Sequence, residues 1–310
     1  LPTWFRLFST PITPAMIGYL RRIRDLDIIQ ISFQNPMAVI AYLLARPKGK
    51  LVIWYQHDIV RQKLAGFFFY PFLHWTLKKA AVIVANSEPY ARTSGVLRRF
   101  PDKTVVIPLG IDAAELNSAA DIAEAENIRN TCGAPLILFV GRLVYYKGIS
   151  YLIEAMRNVN ARLMIIGEGP LERRLRDQAA ETGLGDKIIF QKVPREGSIG
   201  KYLHACDLLV LPSIERTEAF GLVLLEAMAC SKPVITTELG TGTSFVCKHG
   251  ETGLVVPPRD VSALKDAILK LLSDPALSRR MGQEGKKRFE SVFSIEQMTG
   301  SFLKLYEKLC

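Results

Sequence analysis

The strongest constraint on the fold is a series of short apolar runs that recur roughly every 25 residues. They are rich in β-branched residues and lack a polar alternate face, as is typical of strands buried on both sides of a parallel sheet. Longer stretches with a helical period separate them, and this alternation predicts a doubly wound α/β protein. The ten predicted strands are residues 27–33, 51–56, 81–86, 104–107, 136–140, 162–166, 187–190, 208–211, 233–237 and 253–256.

The chain of 310 residues is long enough for two domains. The strand rhythm stops after residue 112 and resumes at Leu136, with an Ala-, Glu- and Asn-rich stretch between them. We therefore predict a boundary there, and we expect a first domain with four strands to be incomplete beside a second domain with six. The predicted divisions are a first domain at 1–112, a linker at 113–130, a second domain at 131–290, and a C-terminal helix at 291–310 that packs back toward the first domain.

Positive charge is concentrated in the first third of the chain. Residues 1–110 hold 15 Lys and Arg against 5 Asp and Glu, a net of +10, whereas residues 111–310 hold 25 of each, a net of zero. The first third is therefore expected to face an anionic partner, which is nucleic acid, a phospholipid surface or a phosphorylated acceptor. No nucleic-acid recognition motif is visible, so only the charge supports that partner.

Cysteine usage and hydropathy bear on the compartment. The five cysteines are scattered and form no CxxC pair, which predicts reduced thiols in a cytoplasmic protein and neither a disulfide framework nor a zinc site. The apolar uncharged run at residues 64–77 is interrupted by Pro71 and is shorter than the roughly 20 residues that span a bilayer. We expect neither a membrane-spanning segment nor a secretory signal.

The segment at residues 212–230 (PSIERTEAFGLVLLEAMAC) is the most informative. A polar loop follows a strand, and a helix then begins near Phe220. The helix is apolar on every side except Glu226, so we expect it to be buried all round. A buried carboxylate costs free energy unless it is paired.

The start of that helix also predicts an anion site. The first backbone N–H groups of the helix, at Gly221, Leu222 and Val223, have no helical partner and form a natural phosphate seat. Two carboxylates, Glu218 and Glu226, flank the seat and suit a ligand with both hydroxyls and phosphates, such as a nucleotide sugar. The alternative is that Glu226 is a core carboxylate paired with an Arg and that Glu218 caps the helix.

Two cationic residues follow the carboxyl end of another predicted strand. Arg142 and Lys147 lie in residues 139–148, at the edge of an open α/β sheet where ligands bind. Two fixed cations can neutralise a diphosphate without a metal ion. Nothing visible near these cations requires a metal, because there is no Walker lysine and residues 111–310 contain no Asp-x-Asp pair. The alternative is a loop with two solvated bases.

Two features of the first domain are candidates for further contacts. His57 follows a strand on the ligand side, where it could orient a sugar hydroxyl or move a proton, unless it is a satisfied loop histidine. The aromatic residues 66–75 are flanked by Arg61, Lys63, Lys78 and Lys79. They indicate either an interfacial helix resting on anionic lipid or an inter-helix core with a basic rim.

Together these segments resemble the retaining glycosyltransferases of family 4, which have two Rossmann-like domains facing a cleft (the GT-B fold). The resemblance extends from Asp27 to Tyr306, and the Glu218–Glu226 pair is its signature. The matching segments are DIIQIS (27–32), HDIVRQK (57–63), VIPLGID (106–112), GRL with Lys147-Gly148, GEGP (167–170), EAFGLVLLEAMA (218–229) and GETGLVVP (250–257).

The resemblance implies a role for each residue at these positions. Arg142 and Lys147 would bind the donor diphosphate, and Glu218 would contact the hydroxyls of the transferred hexose. The backbone of Phe220, Gly221 and Leu222 would bind sugar and phosphate. Glu226 would hold the ribose hydroxyls, Val193 would touch the base through its backbone, and His57 would lie on the acceptor side of the sugar.

The resemblance also implies a function. The chain is expected to move a hexose with retention from UDP or GDP onto a growing, lipid-linked surface polysaccharide, at the inner face of the membrane and without a metal or other cofactor. Retention is expected through front-face attack, with no protein nucleophile. The family normally opens with a strand, a Gly-rich loop and a helix that nothing before Asp27 supplies. A truncated remnant that only binds nucleotide is therefore one alternative, and a basic nucleic-acid-binding protein is another.

Overall fold

The computed structural model describes residues 5–7, 10–23, 25–33, 35–58, 63–133, 135–193 and 198–310. The described strands are β1 Phe5–Leu7, β2 Thr10–Ile12, β3 Ile28–Ser32, β4 Lys50–Tyr55, β5 Val82–Ala85, β6 Thr104–Val106, β7 Leu136–Val140, β8 Arg162–Ile166, β9 Ile188–Gln191, β10 Leu208–Leu211, β11 Val234–Thr237 and β12 Gly253–Val256. The α-helices are α1 Ala15–Arg22, α2 Pro36–Ala45, α3 Lys63–Lys79, α4 Glu88–Thr93, α5 Ala119–Cys132, α6 Ile149–Ala155, α7 Glu172–Glu181, α8 Gly200–Ala205, α9 Leu222–Ala229, α10 Gly242–Val246, α11 Val261–Ser273, α12 Pro275–Arg288 and α13 Ile295–Leu309.

The chain divides into two compact units. The first unit comprises Leu1–Pro108 together with Thr299–Cys310, and the second comprises Leu109–Met298. The first unit contains a four-stranded parallel sheet whose strands follow chain order, β3-β4-β5-β6, and a separate antiparallel hairpin of β1 and β2. All four strands of the sheet are those that the sequence predicts, with ends that differ by one residue at most.

The second unit is built on a six-stranded parallel sheet with the order β12-β11-β10-β7-β8-β9. All six strands match the predicted ones, and the inner strands β7, β8, β10 and β11 are buried almost throughout, as expected of strands covered on both faces. Strands β7 and β10 lie at the centre, and Leu138 and Leu209 on these strands are completely buried. The chain runs outward from β7 through β8 to β9, then returns to the centre and runs outward in the other direction from β10 to β12.

The linker predicted at residues 113–130 requires correction. The structure forms the helix α5 in this stretch, and α5 belongs to the second unit. The hydroxyl of Ser118 caps the helix by accepting a hydrogen bond from the backbone N–H of Asp121 at 3.1 Å, and Ala125 is buried in the core. The stretch is rich in Ala and Glu and has little β character because it is a capped helix. The boundary therefore falls at 108/109 and not at 112.

The C-terminal end of the chain belongs to the first unit from Thr299 onward. There, Phe302 on α13 packs edge-on against Trp54 on β4, with ring centroids 5.1 Å apart. The hydroxyl of Tyr306 donates a hydrogen bond to the side-chain oxygen of Gln30 on β3. The sequence predicts that the whole segment 291–310 packs toward the first domain. In the structure, residues 291–298 belong to the second unit, and only Thr299–Cys310 belong to the first.

None of the helices within the described ranges has the length and apolar character that crossing a bilayer demands. All five cysteines are free thiols, and four of them are buried. Burial raises the pKa of the Cys206 thiol to about 11. This thiol therefore remains protonated near neutral pH and serves the core as a small apolar side chain.

Two chain segments approach each other closely where Gly148 starts α6. The φ angle of Gly148 is +69°, and a Cβ atom at this position would lie 2.0 Å from the carbonyl oxygen of Pro212. Pro212 directly follows β10, so the segment after β7 contacts the segment after β10 backbone to backbone. Only glycine combines this backbone conformation with this approach.

Gly148→Ala should therefore destabilise the second unit. Gly183 offers a matched control, because it has the same φ of +69° and open space where a Cβ would lie. We expect Gly183→Ala to lower the free energy of unfolding by about 1 kcal/mol through backbone strain alone. Gly148→Ala should lower it by about 2 kcal/mol more, since the Pro212 backbone must move. Equal losses for both variants in denaturant unfolding would show that the close approach contributes nothing.

Candidate active site

The candidate site lies at the carboxyl ends of β7 and β10. These two strands are neighbours, and from them the chain crosses the second sheet in opposite directions. Ligands of open α/β folds bind at such a topological switch point. The loop at residues 141–148 follows β7, and the loop at residues 212–221 follows β10. The backbone N–H of Ile214 donates to the carbonyl oxygen of Tyr146 at 2.8 Å, which joins the two loops.

A buried ion pair connects the two loops at the centre of the site. Lys147 Nζ lies 2.5 Å from Glu218 Oε2, and both side chains are nearly buried, with 13% and 10% of their surfaces exposed. The fully buried Ser213 hydroxyl donates to the same carboxylate oxygen at 2.9 Å. Glu218 Oε1 has no partner among the described residues. The structure thus brings together Lys147 and Glu218, which the sequence placed in separate segments.

Glu226 lies on α9, partly buried, and its carboxylate makes no hydrogen bond or ion pair within the described part of the chain. Burial raises the pKa of this carboxyl above its usual range, and the positive charge of Lys147 partly offsets that rise. No arginine of the described residues pairs with it, as the alternative of a paired core carboxylate would require. A half-buried carboxylate without a partner is costly to the fold, and its free oxygens are available to ligand hydroxyls.

The start of α9 presents backbone donors beside these carboxylates. Gly221 precedes the helix with φ +82°, and the N–H groups of Leu222 and Val223 have no partner among the described residues. Such N–H groups attract anions. The prediction that this helix is buried all round holds except at Leu222, whose side chain is 46% exposed in the first turn. The buried Phe220 ring anchors the segment by packing edge-on against Phe293, 6.1 Å away.

Arg142 and Val193 lie at the same edge of the sheet. Arg142 follows β7 directly, and its exposed guanidinium makes no hydrogen bond or ion pair with the residues that the structure describes. It is therefore free to meet an anion. Val193 follows β9, two strands away from β7, and is 48% exposed. The residues after it, 194–197, lie outside the described ones.

Several residues that support the site were missed from the sequence. The Thr241 hydroxyl donates to the backbone oxygen of Glu218 at 2.8 Å, and the Thr237 hydroxyl donates to the backbone oxygen of Ser213. The Tyr145 hydroxyl donates to Glu215 Oε2 at 2.5 Å across the two loops. For Thr237 the available signal was a hydroxyl residue at the end of a buried strand, because a buried hydroxyl needs a partner.

His57 belongs to the first unit, where it follows β4. Its imidazole is exposed, and its Nδ1 lies 3.2 Å from the carbonyl oxygen of Asp58. Asp58 has a structural role, because its carboxylate accepts hydrogen bonds from the hydroxyls of Tyr55 at 2.8 Å and Ser94 at 2.7 Å. The exposed ring of His57 is available to a ligand, and the rest of the predicted segment, 59–62, lies outside the described residues.

A separate cavity of about 560 Å³ lies near the opposite ends of the strands, beside Pro135 and Pro233. Two of its three cationic residues, Arg129 and Lys232, have hydrogen-bond partners. Arg129 and Lys232 both donate to the backbone oxygen of Cys206, at 3.4 and 2.8 Å. These contacts give Arg129 and Lys232 a structural function. Across the described ranges, no group of three His, Cys, Asp or Glu side chains is arranged to hold a metal ion.

Residues 122–288 match the family described as glycosyl transferases group 1, and residues 1–115 match the family described as glycosyltransferase family 4. O-antigen chain mannosyltransferase C of Escherichia coli is 34% identical over 306 residues, which are 98% of this chain and 82% of that protein. D-rhamnosyltransferase WbpZ of Pseudomonas aeruginosa is 34% identical over 290 residues, covering 93% and 76% of the two chains.

Solved structures agree with these matches. Sucrose-phosphate synthase from Thermosynechococcus elongatus superposes with a TM-score of 0.76 at 27% identity, covering 91% of this chain and 73% of that one. Anabaena HepE in complex with UDP has the same fold, with a TM-score of 0.81 at 20% identity over 95% and 81% of the two chains. The resemblance seen in the sequence and the expected GT-B type of α/β fold are thereby confirmed. The chain belongs to the glycosyl transferases of group 1.

Proposed function

We propose that the second unit binds a nucleoside diphosphate sugar at the carboxyl ends of β7 and β10. The observation that carries this proposal is the cluster of Lys147, Glu218 and the unpaired Glu226 beside the free N–H groups of α9. Such a cluster offers positive charge to phosphates and carboxylate oxygens to hydroxyls. A nucleotide sugar combines both kinds of group in one molecule.

The roles follow from the chemistry of each residue. Arg142 and Lys147 bind the diphosphate, and the backbone N–H groups of Leu222 and Val223 add to its stabilisation. Glu226 accepts hydrogen bonds from the ribose hydroxyls, which gives its carboxylate the partners that the protein does not supply. Glu218 Oε1 accepts from a hydroxyl of the transferred hexose. Two cations at the diphosphate allow the transfer to proceed without a metal ion or other cofactor.

The backbone of Phe220 and Gly221 completes the proposed donor site around sugar and phosphate. Val193, which is exposed beyond β9, contacts the nucleotide base. His57 acts on the acceptor side, where its exposed imidazole is able to orient a sugar hydroxyl or move a proton. The base is uracil or guanine, and titration with both nucleotides distinguishes them.

The transferred sugar is proposed from two relatives. One is named a mannosyltransferase and the other a D-rhamnosyltransferase, and D-rhamnose is 6-deoxymannose. Both names thus describe hexoses of the manno configuration, which we propose for the donor of this chain. The name of the first relative supports a growing surface polysaccharide as the acceptor class.

The surface of the first unit supports a lipid-linked acceptor at an anionic membrane. Phe72 and Trp75 share one face of α3 and are 51% and 42% exposed, while Leu73 and Leu77 on the same helix are buried. The Lys79 ammonium lies 5.5 Å from the Trp75 ring. Helix α3 is thus a core helix that presents an aromatic, basic face, and such a face suits the interface of a cytoplasmic leaflet.

Retention of the anomeric configuration is proposed through attack on the face from which the diphosphate departs. The bond between the anomeric carbon and the diphosphate breaks, the acceptor oxygen forms the new bond, and a leaving phosphate oxygen takes the acceptor proton. In this proposal Glu218 is not a nucleophile, because its Oε1 accepts a hydroxyl of the transferred hexose while Ser213 binds its Oε2. Lys147 instead stabilises the charge that develops on the diphosphate.

The first prediction of this proposal concerns nucleotide binding in the presence of EDTA. We expect calorimetry to detect binding of UDP or GDP, and Glu226→Ala to weaken it about tenfold to a hundredfold through loss of charge-assisted hydrogen bonds. Glu284→Ala, which removes an exposed carboxylate paired with Lys287 on α12, is the control and should bind as the wild type does. Absence of binding by folded wild type refutes the donor site, whereas binding without any transfer favours a protein that only binds nucleotide.

The second prediction concerns the product. With GDP-mannose and UDP-glucose offered alongside a saccharide acceptor, we expect transfer of the manno sugar to give an α-linkage from an α-linked donor. Proton–carbon coupling at the anomeric centre, measured by NMR, distinguishes the two configurations. A β-linked product contradicts retention without affecting the assignment of the donor site.

The third prediction concerns the membrane. We expect the chain to sediment with phosphatidylglycerol vesicles at low salt, but not with phosphatidylcholine vesicles, and to be released by about 0.5 M salt because the attraction is screened. Trp75→Ser should weaken the binding. Ile122→Ser, at an apolar residue that is 50% exposed on α5 of the second unit, should leave it unchanged. Failure of the wild type to bind the anionic vesicles refutes the membrane proposal.

A further inference from the structure

Ser213 binds the Glu218 carboxylate from a fixed position in the core. Its side chain is completely buried, and its hydroxyl donates to Glu218 Oε2 at 2.9 Å. Its own backbone oxygen accepts a hydrogen bond from the Thr237 hydroxyl on β11. The next residue, Ile214, is bound through its N–H to the backbone of Tyr146. Ser213 is therefore held in place from two directions.

Lys147 donates to the same oxygen, but its side chain differs from that of Ser213 in charge and in conformational freedom. Its ammonium carries the positive charge that a diphosphate attracts, and it sits at the end of a flexible chain. Its contact to Glu218 at 2.5 Å is the contact that an entering diphosphate competes for. The neutral hydroxyl of Ser213 feels little of that attraction, so it continues to bind Oε2 when Lys147 turns toward phosphate.

We propose that Ser213 is a positioning residue, which fixes Glu218 through Oε2 so that Oε1 accepts a hydroxyl of the transferred sugar. The inference rests on the proposed function of this site. It assigns to Ser213 a role in recognising the sugar and none in binding the nucleotide, because its hydroxyl contacts only the carboxylate among the described groups. Sugar recognition then depends on an uncharged residue that itself does not touch the donor.

The test compares Ser213→Ala with wild type for nucleotide and for nucleotide sugar. We expect the Kd of the nucleoside diphosphate to change less than twofold, and kcat/KM for the sugar donor to fall about tenfold to a hundredfold, as for loss of a hydrogen bond to a charged group. Ser213→Cys keeps the shape with a weaker donor and should lie between the two. A sugar-donor kcat/KM for Ser213→Ala within twofold of wild type overturns the proposal.

A double-mutant cycle separates positioning from a general structural effect. If Ser213 acts through Glu218, then Ser213→Ala added to Glu218→Ala should lower kcat/KM no further. If the falls in kcat/KM of the two single variants multiply in the double variant, Ser213 does not act through Glu218, and the positioning role is contradicted. Thr236→Ala is the matched control, because it removes an equally buried hydroxyl that donates to the Leu211 backbone at 3.1 Å and does not contact Glu218. It should lower Tm while keeping the preference for sugar donor over bare nucleotide.

The outcomes also separate this inference from the proposed function. Wild type that binds no nucleotide refutes the proposed donor site itself. Wild type that binds and transfers, alongside a Ser213→Ala variant that does so equally well, refutes only the positioning role. Thermal unfolding of each variant verifies that an altered kcat/KM comes from a folded protein.

Discussion

The ion pair between Lys147 and Glu218 is the interaction on which the organisation of the site depends. Two charges that are almost removed from water cost more free energy than their attraction returns, unless further hydrogen bonds complete them. Here Ser213 supplies one such bond and leaves Oε1 open. The ion pair thus retains hydrogen-bonding capacity that a ligand is able to use. A ligand that brings phosphate for the lysine and hydroxyl for the carboxylate supplies what each partner lacks.

The backbone makes this pair possible by bringing two loops into direct contact. Strands β7 and β10 are neighbours in space although a long stretch of chain separates them, so the loops after them meet at one edge. Gly148 allows its loop to approach the carbonyl oxygen of Pro212. The Thr241 hydroxyl then holds the backbone of Glu218 in place. Strand order supplies the meeting point, and one glycine with a few buried hydroxyls fixes its geometry.

The sequence predicts the strands and most of the candidate site. Its predictions fail where a stretch of residues is compatible with more than one structure. Short apolar runs are a strong signal for strands. All ten of the predicted strands therefore occur in the structure, including β3 and β6, whose central residues Gln30 and Val105 are exposed. Residues 113–130 lack that pattern, and a helix there was mistaken for a linker. The environment of Glu226 was anticipated, because a carboxylate on an apolar helix is conspicuous. Ser213 was not, since a single serine after a strand carries no pattern that distinguishes it from a turn residue.

The distribution of charge differs between the two anionic ligands that we propose for this chain. Arg142 and Lys147 balance Glu218 and Glu226, so the proposed donor site is neutral, as is the whole of residues 111–310. Such a site acts through contacts of a few ångströms, and its selectivity resides in geometry. The excess of +10 over residues 1–110 acts differently. Its field extends over about 10 Å at ordinary ionic strength, which orients a protein toward an extended anionic surface without selecting any single group on it.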